Sequence, residues 1–334
     1  MKKLFLLTLS ALLLLTGCAP EEPVSVELPY EKLADELYVN YDRTKFENTA
    51  AVPIYYAEYI KPDDSALIPY FSASPKIYDE RNDREFENDS EHGYYSSHGH
   101  VFFGSGDWAC ISSMSEHFFR YSNSSPKDLD FMPMSEVYKK FNDDVHKFIE
   151  KYEICEITTI SAEEFAEATA AVSAPINDDG ERVWCEPRDV YYITARQIVD
   201  ETPIFTGVSP TSIETAFHIG AKIEACYTKN GLEHLSLTGY KIGEEKDNEN
   251  DFIDFEKAEQ IIREEYVANY GAENTVLIDA ELVYVGVFDG DKTILTPAWE
   301  FYFGLDYSPV SPYRKQNQVI IRLNAYTEEF MRWS

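Results

Sequence analysis

An α+β fold, with antiparallel sheets each packed by an amphipathic helix, is what this sequence predicts. Three observations carry the prediction. Val137, Phe141, Val145, Phe148 and Tyr152 recur at a spacing of four, four, three and four, which lines one face of a helix over 135–152. Apolar runs such as Ala51–Tyr56 and Val101–Phe103, separated by polar stretches, read as strands. The second half of the chain also repeats an order of elements, because Ile160–Glu167 lines up with Ile253–Gln260, 93 residues later.

Taken in order, the chain opens with Lys2 and Lys3 and an apolar run from Leu4 to Leu15. That run is too short to span a hydrocarbon core of ~30 Å, so residues 1–17 read as a secretory signal. Leu15-Thr16-Gly17-Cys18 resembles the lipobox of bacterial lipoproteins. The resemblance implies cleavage before Cys18, diacylglycerol on its thiol, and a chain held on the extracytoplasmic face of the cell membrane. Residues 18–29, with three prolines and three glutamates, read as an extended tether.

Residues 30–134 read as a β-rich N-terminal domain interrupted by a charged loop over 79–97. The helix over 135–152 links that domain to the second half of the chain. Residues 153–247 and 248–334 then read as two units, each a helix followed by three strands. In both, a residue able to cap follows an isoleucine, Ser161 after Ile160 and Asp254 after Ile253. Ser161 and Glu164 also fit the capping box, in which each side chain satisfies a free backbone N–H. Phe165, Ala168 and Val172 form the apolar face of the first helix, and Phe255, Ala258, Ile261, Ile262 and Tyr266 that of the second. Extended chain follows over 190–205 in one unit. In the other, two strands over 282–303 join at Asp289-Gly290-Asp291. A last strand pair aligns 223–228 with 321–327.

A helix, a strand carrying Pro297-Ala298-Trp299, and then Asn324-Ala325-Tyr326-Thr327 resembles the PepSY-type and YycI/YycH-type extracytoplasmic domains of Gram-positive bacteria. With the lipobox, the layout is also similar to uncharacterised lipoproteins of gut Firmicutes. The resemblance implies two PepSY/YycI-like repeats after the β-rich domain, and a non-enzymatic role in contacting or regulating another envelope protein. A sensor, transporter or protease ectodomain is the kind of partner implied.

Charge narrows the classes further. The chain has 60 acidic and 29 basic side chains, a net −31; without residues 1–17 the balance is 60 to 27, or −33. Nucleic acid is excluded as a partner, since its affinity comes from Lys and Arg on phosphates. Four cysteines remain after Cys18: Cys110, Cys155, Cys185 and Cys226. Outside the cytoplasm they can form up to two disulfides or remain as buried thiols. His92, His98 and His100 are the sharpest metal candidates, as ligands of a zinc or copper ion in a hydrolase, or else members of a mobile polar loop. Asp247–Asp251 starts like a calcium loop, but Phe252 stands where glycine is needed and Ala258 where the bidentate glutamate belongs. Asp289-Gly290-Asp291 is first a hairpin signal. Ser124 and Lys127 match a bare SxxK with Pro126 inside it, which opposes the required helical turn. The 24 tyrosines allow a glycan- or solute-binding platform, though strand packing also accounts for them. No catalytic residue and no cofactor follow from these patterns.

Overall fold

A computed structural model describes residues 31–34, 37–39, 41–61, 76–77, 84–88, 91–95, 100–105, 126–170, 186–206, 218–269, 275–289, 292–304 and 318–331. In chain order the strands are β1 (Glu31–Ala34), β2 (Leu37–Val39), β3 (Ile54–Tyr59), β4 (Lys76–Ile77), β5 (Arg84–Asn88), β6 (Glu91–Tyr95) and β7 (His100–Ser105). Helix α1 (Met134–Val145), β8 (Tyr152–Ile160) and helix α2 (Ala162–Ala170) follow. Next come β9 (Val190–Val199), β10 (Thr202–Pro203), β11 (His218–Ile219), β12 (Ile223–Thr228), β13 (Gly231–Thr238) and β14 (Tyr240–Lys246). Helix α3 (Phe255–Asn269), β15 (Thr275–Asp289), β16 (Lys292–Gly304) and β17 (Gln318–Asn324) complete the chain.

These strands form two mostly antiparallel sheets, which with the three helices make an α+β fold. The first sheet runs β1-β2-β15-β16-β3-β14, with β11 on β15 and β17 on β16. The second runs β10-β9-β12-β13-β7-β6-β5-β4, with β8 on β9. Only β2 and β15 pair in parallel among the described strands. The strands of 30–134 are divided between the sheets: β1 to β3 extend the first, and β4 to β7 the second. Each half of the remaining chain contains a helix followed by a three-stranded meander, α2 with β9-β12-β13 and α3 with β15-β16-β17. In that order 223–228 is the second strand of its meander, whereas 321–324 is the third.

Helix α1 covers one face of the second sheet. Val137, Phe141, Val145 and Ile149 are almost wholly buried against Val101, Phe103, Tyr191, Ile193, Ala225, Leu235 and Leu237. The helix is shorter than its apolar stripe, ending at Val145. The next residues turn, with the N–H groups of Phe148 and Ile149 both donating to the Val145 carbonyl. Tyr152 thus opens β8, where its ring still meets Phe141 edge-on at 5.5 Å. Beyond β8, Ser161 and Glu164 form the expected capping box: Ser161 N donates to Glu164 Oε2 at 2.7 Å, and Glu164 N to Ser161 Oγ at 3.3 Å.

The first sheet is packed by α3. Asp254 caps the helix by accepting Lys257 N at 2.8 Å, and Phe255, Ala258 and Ile262 are buried on Leu277, Trp299, Phe301 and Leu323. Of the Pro297-Ala298-Trp299 motif, Trp299 lies in this core, while Ala298 packs on the opposite face with Phe205, Val283 and Val285. Trp299 is fully buried, meets Phe46 and Phe255 edge-on, and donates from Nε1 to the Ile253 carbonyl at 3.0 Å. Strand β17 stops at Asn324, whose side-chain oxygen accepts the N–H groups of Tyr326 and Thr327 and bends the chain into a turn. The strand expected to reach Thr327 is shorter for that reason.

Three devices join the sheets. Between β13 and β14 the chain passes from one sheet to the other at Gly239, where a Cβ would stand 2.8 Å from Ile149 Cδ1 and 3.1 Å from Gln197 Oε1. The buried Gln197 side chain takes the place of a strand partner there, donating to the Tyr240 carbonyl at 2.7 Å and accepting Tyr240 N at 2.8 Å. After β9, Ile204 bridges to Tyr284 of β15, and Phe205 N donates to the Tyr284 carbonyl at 3.0 Å. Arg196 of β9 forks onto Glu281 of β15 at 2.7 and 2.5 Å while its Nε holds Glu153.

Candidate functional site

Of the histidines singled out in the sequence, His92 falls on β6 and His100 on β7. His92 stands opposite Gly104 in the β6–β7 register, and His100 lies four residues from Gly104 at the start of β7. At the strand rise of ~3.3 Å per residue these positions are roughly 13 Å apart. His98 lies outside the described residues. Among the described residues, no three His, Cys, Asp or Glu side chains come together to hold a metal ion.

His100 instead joins a polar face of the second sheet, opposite the face that packs on α1. Alternation along β7, β9, β12 and β13 sends Phe103, Ile193, Ala225 and Leu235 to the α1 core. It sends His100, Tyr192, Glu224, Cys226, His234 and Ser236 to the other side. His100 Nε2 lies 2.9 Å from Ser236 Oγ, His234 stands opposite Cys226, the Tyr192 hydroxyl donates to Glu224, and Lys222 Nζ is 2.9 Å from the same carboxylate. Burial pushes His100 and His234 down to about 4 and the Cys226 thiol up. Burial also works to raise Glu224, but Lys222 and the Tyr192 hydrogen bond outweigh it, and its carboxyl stays below its usual range. The imidazoles are therefore neutral and the thiol protonated at pH 7. A protonated buried thiol beside a neutral imidazole is a poor nucleophile. Cys226 and the exposed Cys155 are both thiols, whereas Cys18, Cys110 and Cys185 lie outside the described residues.

The remaining sequence candidates are turn features. Asp247–Asp251 is an exposed connector in which Asn248 Oδ1 accepts Asn250 N at 3.4 Å. Asp289 pairs with Lys292 across the β15–β16 turn, whose Gly290 and Asp291 lie outside the described residues. Lys127 N donates to Thr159 Oγ1 at 3.4 Å, and Ser124 is outside the described residues.

The first sheet carries an open groove that the sequence did not announce. It lies where β14, β3 and the β15–β16 hairpin meet, encloses about 680 Å³, and is lined by Tyr56, Glu58, Tyr59, Lys61, Lys241, Ile242, Gly243, Glu244, Phe288 and Lys292, with Ala57 and Thr293 at its floor. Register builds it: Ile242 and Thr293 both stand opposite Ala57, and Phe288 stands opposite Thr293. A bulge follows Ile242, and a Cβ at Gly243 would come within 3.0 Å of the Tyr56 carbonyl. Phe288 is 43% exposed, an unusual position for a large apolar ring. Lys292 Nζ sits 4.7 Å from the centre of the Tyr56 ring. None of Lys61, Lys241 and Lys292 forms an ion pair among the described residues, although Glu58 stands opposite Lys241 in register. These lysines are 180 and 51 positions apart in the chain, so no local pattern marks them.

No family model matches the chain, and no curated protein does. Among solved structures it is similar to that of an uncharacterized protein from Eubacterium rectale, with a TM-score of 0.57 and 12% identity over 91% of this chain and 92% of that one. At that identity the likeness concerns the fold, and it extends over nearly the whole of both chains. No described helix is long and apolar enough to cross a membrane.

Proposed function

We propose that this chain is a non-enzymatic binding module of the cell envelope, lipid-anchored through Cys18 and facing the extracytoplasmic side. Its partner is another envelope protein, such as the ectodomain of a sensor, transporter or protease. The observation that carries the reading is the groove between β14, β3 and the β15–β16 hairpin, with its exposed Phe288 and its three lysines. Ligand clefts of a few hundred Å³ with an apolar lining and a small number of charged groups are built for recognition. The Leu15–Cys18 lipobox supports the anchor. The reading of 153–247 and 248–334 as PepSY/YycI-like repeats draws support from the two capped helices, each followed by a three-stranded meander.

Affinity capture of the full lipidated protein from solubilised membranes tests the proposal, with Cys18→Ala and a Lys61→Glu/Lys241→Glu/Lys292→Glu variant alongside. One stoichiometric membrane protein, retained by the wild type and lost from the triple variant, is the expected result. Equal recovery by wild type and triple variant, or no partner from a folded protein, overturns it.

A further inference from the structure

Resting on that reading, we infer that the groove takes an extended acidic segment of the partner protein, with apolar residues interleaved between its carboxylates. The charge of the chain is the first reason. At −31 the molecule as a whole repels anions, so an acidic ligand approaches only where cations are left over. Lys45, Lys147, Lys222 and Lys257 are occupied by Asp279, Asp144, Glu224 and Glu328, while Lys127, Lys139, Lys140, Lys151, Lys229 and Arg263 form no ion pair among the described residues but do not line this groove. Lys61, Lys241 and Lys292 share one groove with no carboxylate within 4 Å of their ammonium groups among the described residues.

The carboxylates of the groove supply the second reason. Glu58 and Glu244 lie in the same lining, so it is not a uniformly positive trough. A dense polyanion, with charge on every unit, would meet these two carboxylates as often as the lysines. An extended peptide spaces like-facing side chains by ~6.5–7 Å, twice the strand rise. It can therefore set carboxylates on the lysines while uncharged residues pass the glutamates. Phe288, Ile242 and Tyr59 offer apolar surface for those intervening side chains. Strand addition to β14, the last strand of its sheet among the described residues, is opposed by its bulge and its charged residues Lys241, Glu244 and Glu245, so side chains carry the recognition.

Fluorescence anisotropy with the full lipidated protein in detergent tests this directly. The probes are a labelled nonapeptide of alternating glutamate and valine, the same peptide with glutamine for glutamate, and an oligogalacturonate as an anionic glycan. The glutamate peptide is expected to bind at least tenfold more tightly than the glutamine peptide and the glycan. Raising salt from 50 to 300 mM should weaken it severalfold. Lys61→Glu/Lys241→Glu/Lys292→Glu should lower its affinity at least tenfold, and Phe288→Ser several-fold without altering the salt dependence. Equal binding of the two peptides, binding unchanged in the triple variant, tighter binding of the glycan, or no binding of any probe overturns the inference. The membrane capture is scored separately: a partner that depends on the groove but a groove that ignores the acidic peptide sinks the inference and keeps the binding module.

Discussion

At the scale of single residues, several buried polar groups of this protein have specific partners whose removal has a calculable cost. Trp299 is the clearest case, since its ring fills the core beneath α3 and its Nε1 is the partner of the Ile253 carbonyl just before the helix. Trp299→Phe keeps most of the apolar contact but leaves that carbonyl buried without its donor. It should cost about 2 kcal/mol in urea unfolding, within the range for an unsatisfied buried group; a change below about 0.5 kcal/mol would show that the hydrogen bond contributes little. His100 and His234 give a second prediction through their protonation. Their folded values of about 4 lie below the ordinary 6.5, so between those limits the unfolded chain binds more protons than the native one. Stability from the neutral imidazoles is complete above pH 6.5 and is lost as pH falls toward 4, by about 1.4 kcal/mol per pH unit for each histidine. Urea midpoints measured from pH 7.5 to 4.5 should fall over that window, and His234→Phe should flatten the decline; an unchanged slope in that variant would remove His234 from the account.

At the scale of elements, two helix starts were legible in the sequence because a local side chain caps them, whereas the turn that Asn324 makes at the end of β17 was not read. Ser161 and Glu164 close the capping box from within four consecutive residues, and Asp254 caps α3 by a single bond, accepting Lys257 N. Ser161→Ala should therefore lower stability by about 1 kcal/mol, and Ser161→Asp should recover most of it; hydrogen exchange at the first turn of α2 reports the loss directly. The apolar stripe from Val137 to Tyr152 was equally readable, but it marks burial and not helix length. Its last member is delivered to the same core by a strand, because the chain turns after Val145 and Tyr152 meets Phe141 from β8. The two sheets were not legible, since pairings such as β16 with β3 join residues some 240 positions apart and depend on no local motif. Nor was the groove, whose lysines come from β14, from β16 and from just beyond β3. The histidines show a related limit: spacing in sequence placed His92, His98 and His100 together, whereas register sets His92 and His100 four rungs apart and His100 meets Ser236.

At the scale of the molecule, the question is whether two sheets with separate helix-covered cores unfold as one body. The apolar core at their junction is shared: Val199 and Ile204, which flank β10, pack with Tyr240, Ala57, Tyr284 and Leu295 of the first sheet. Ile60, at the end of β3, enters the α1 core of the second. Cooperativity then depends on the polar groups that cross the same junction. Gln197 is the most exacting of them, because it supplies both a donor and an acceptor to the backbone of Tyr240 as the chain changes sheets. Gln197→Leu fills the same space with an apolar side chain and leaves two buried backbone groups without partners, at a cost of about 3 kcal/mol. Arg196→Met removes the fork onto Glu281 but leaves that carboxylate partly hydrated, so it should cost less, about 2 kcal/mol. The two substitutions should also differ in kind. With Arg196→Met, the amides of β12–β13 and β15–β16 should lose hydrogen-exchange protection at one shared urea concentration, as in the wild type. With Gln197→Leu the crossing at Gly239 loosens, and β12–β13 should open at a lower urea concentration than β15–β16, whose aromatic core around Trp299 is a separate cluster that meets the junction at Val52. Separate midpoints already present in the wild type would mean that the sheets are independent and that the Gln197 clamp holds only a local turn.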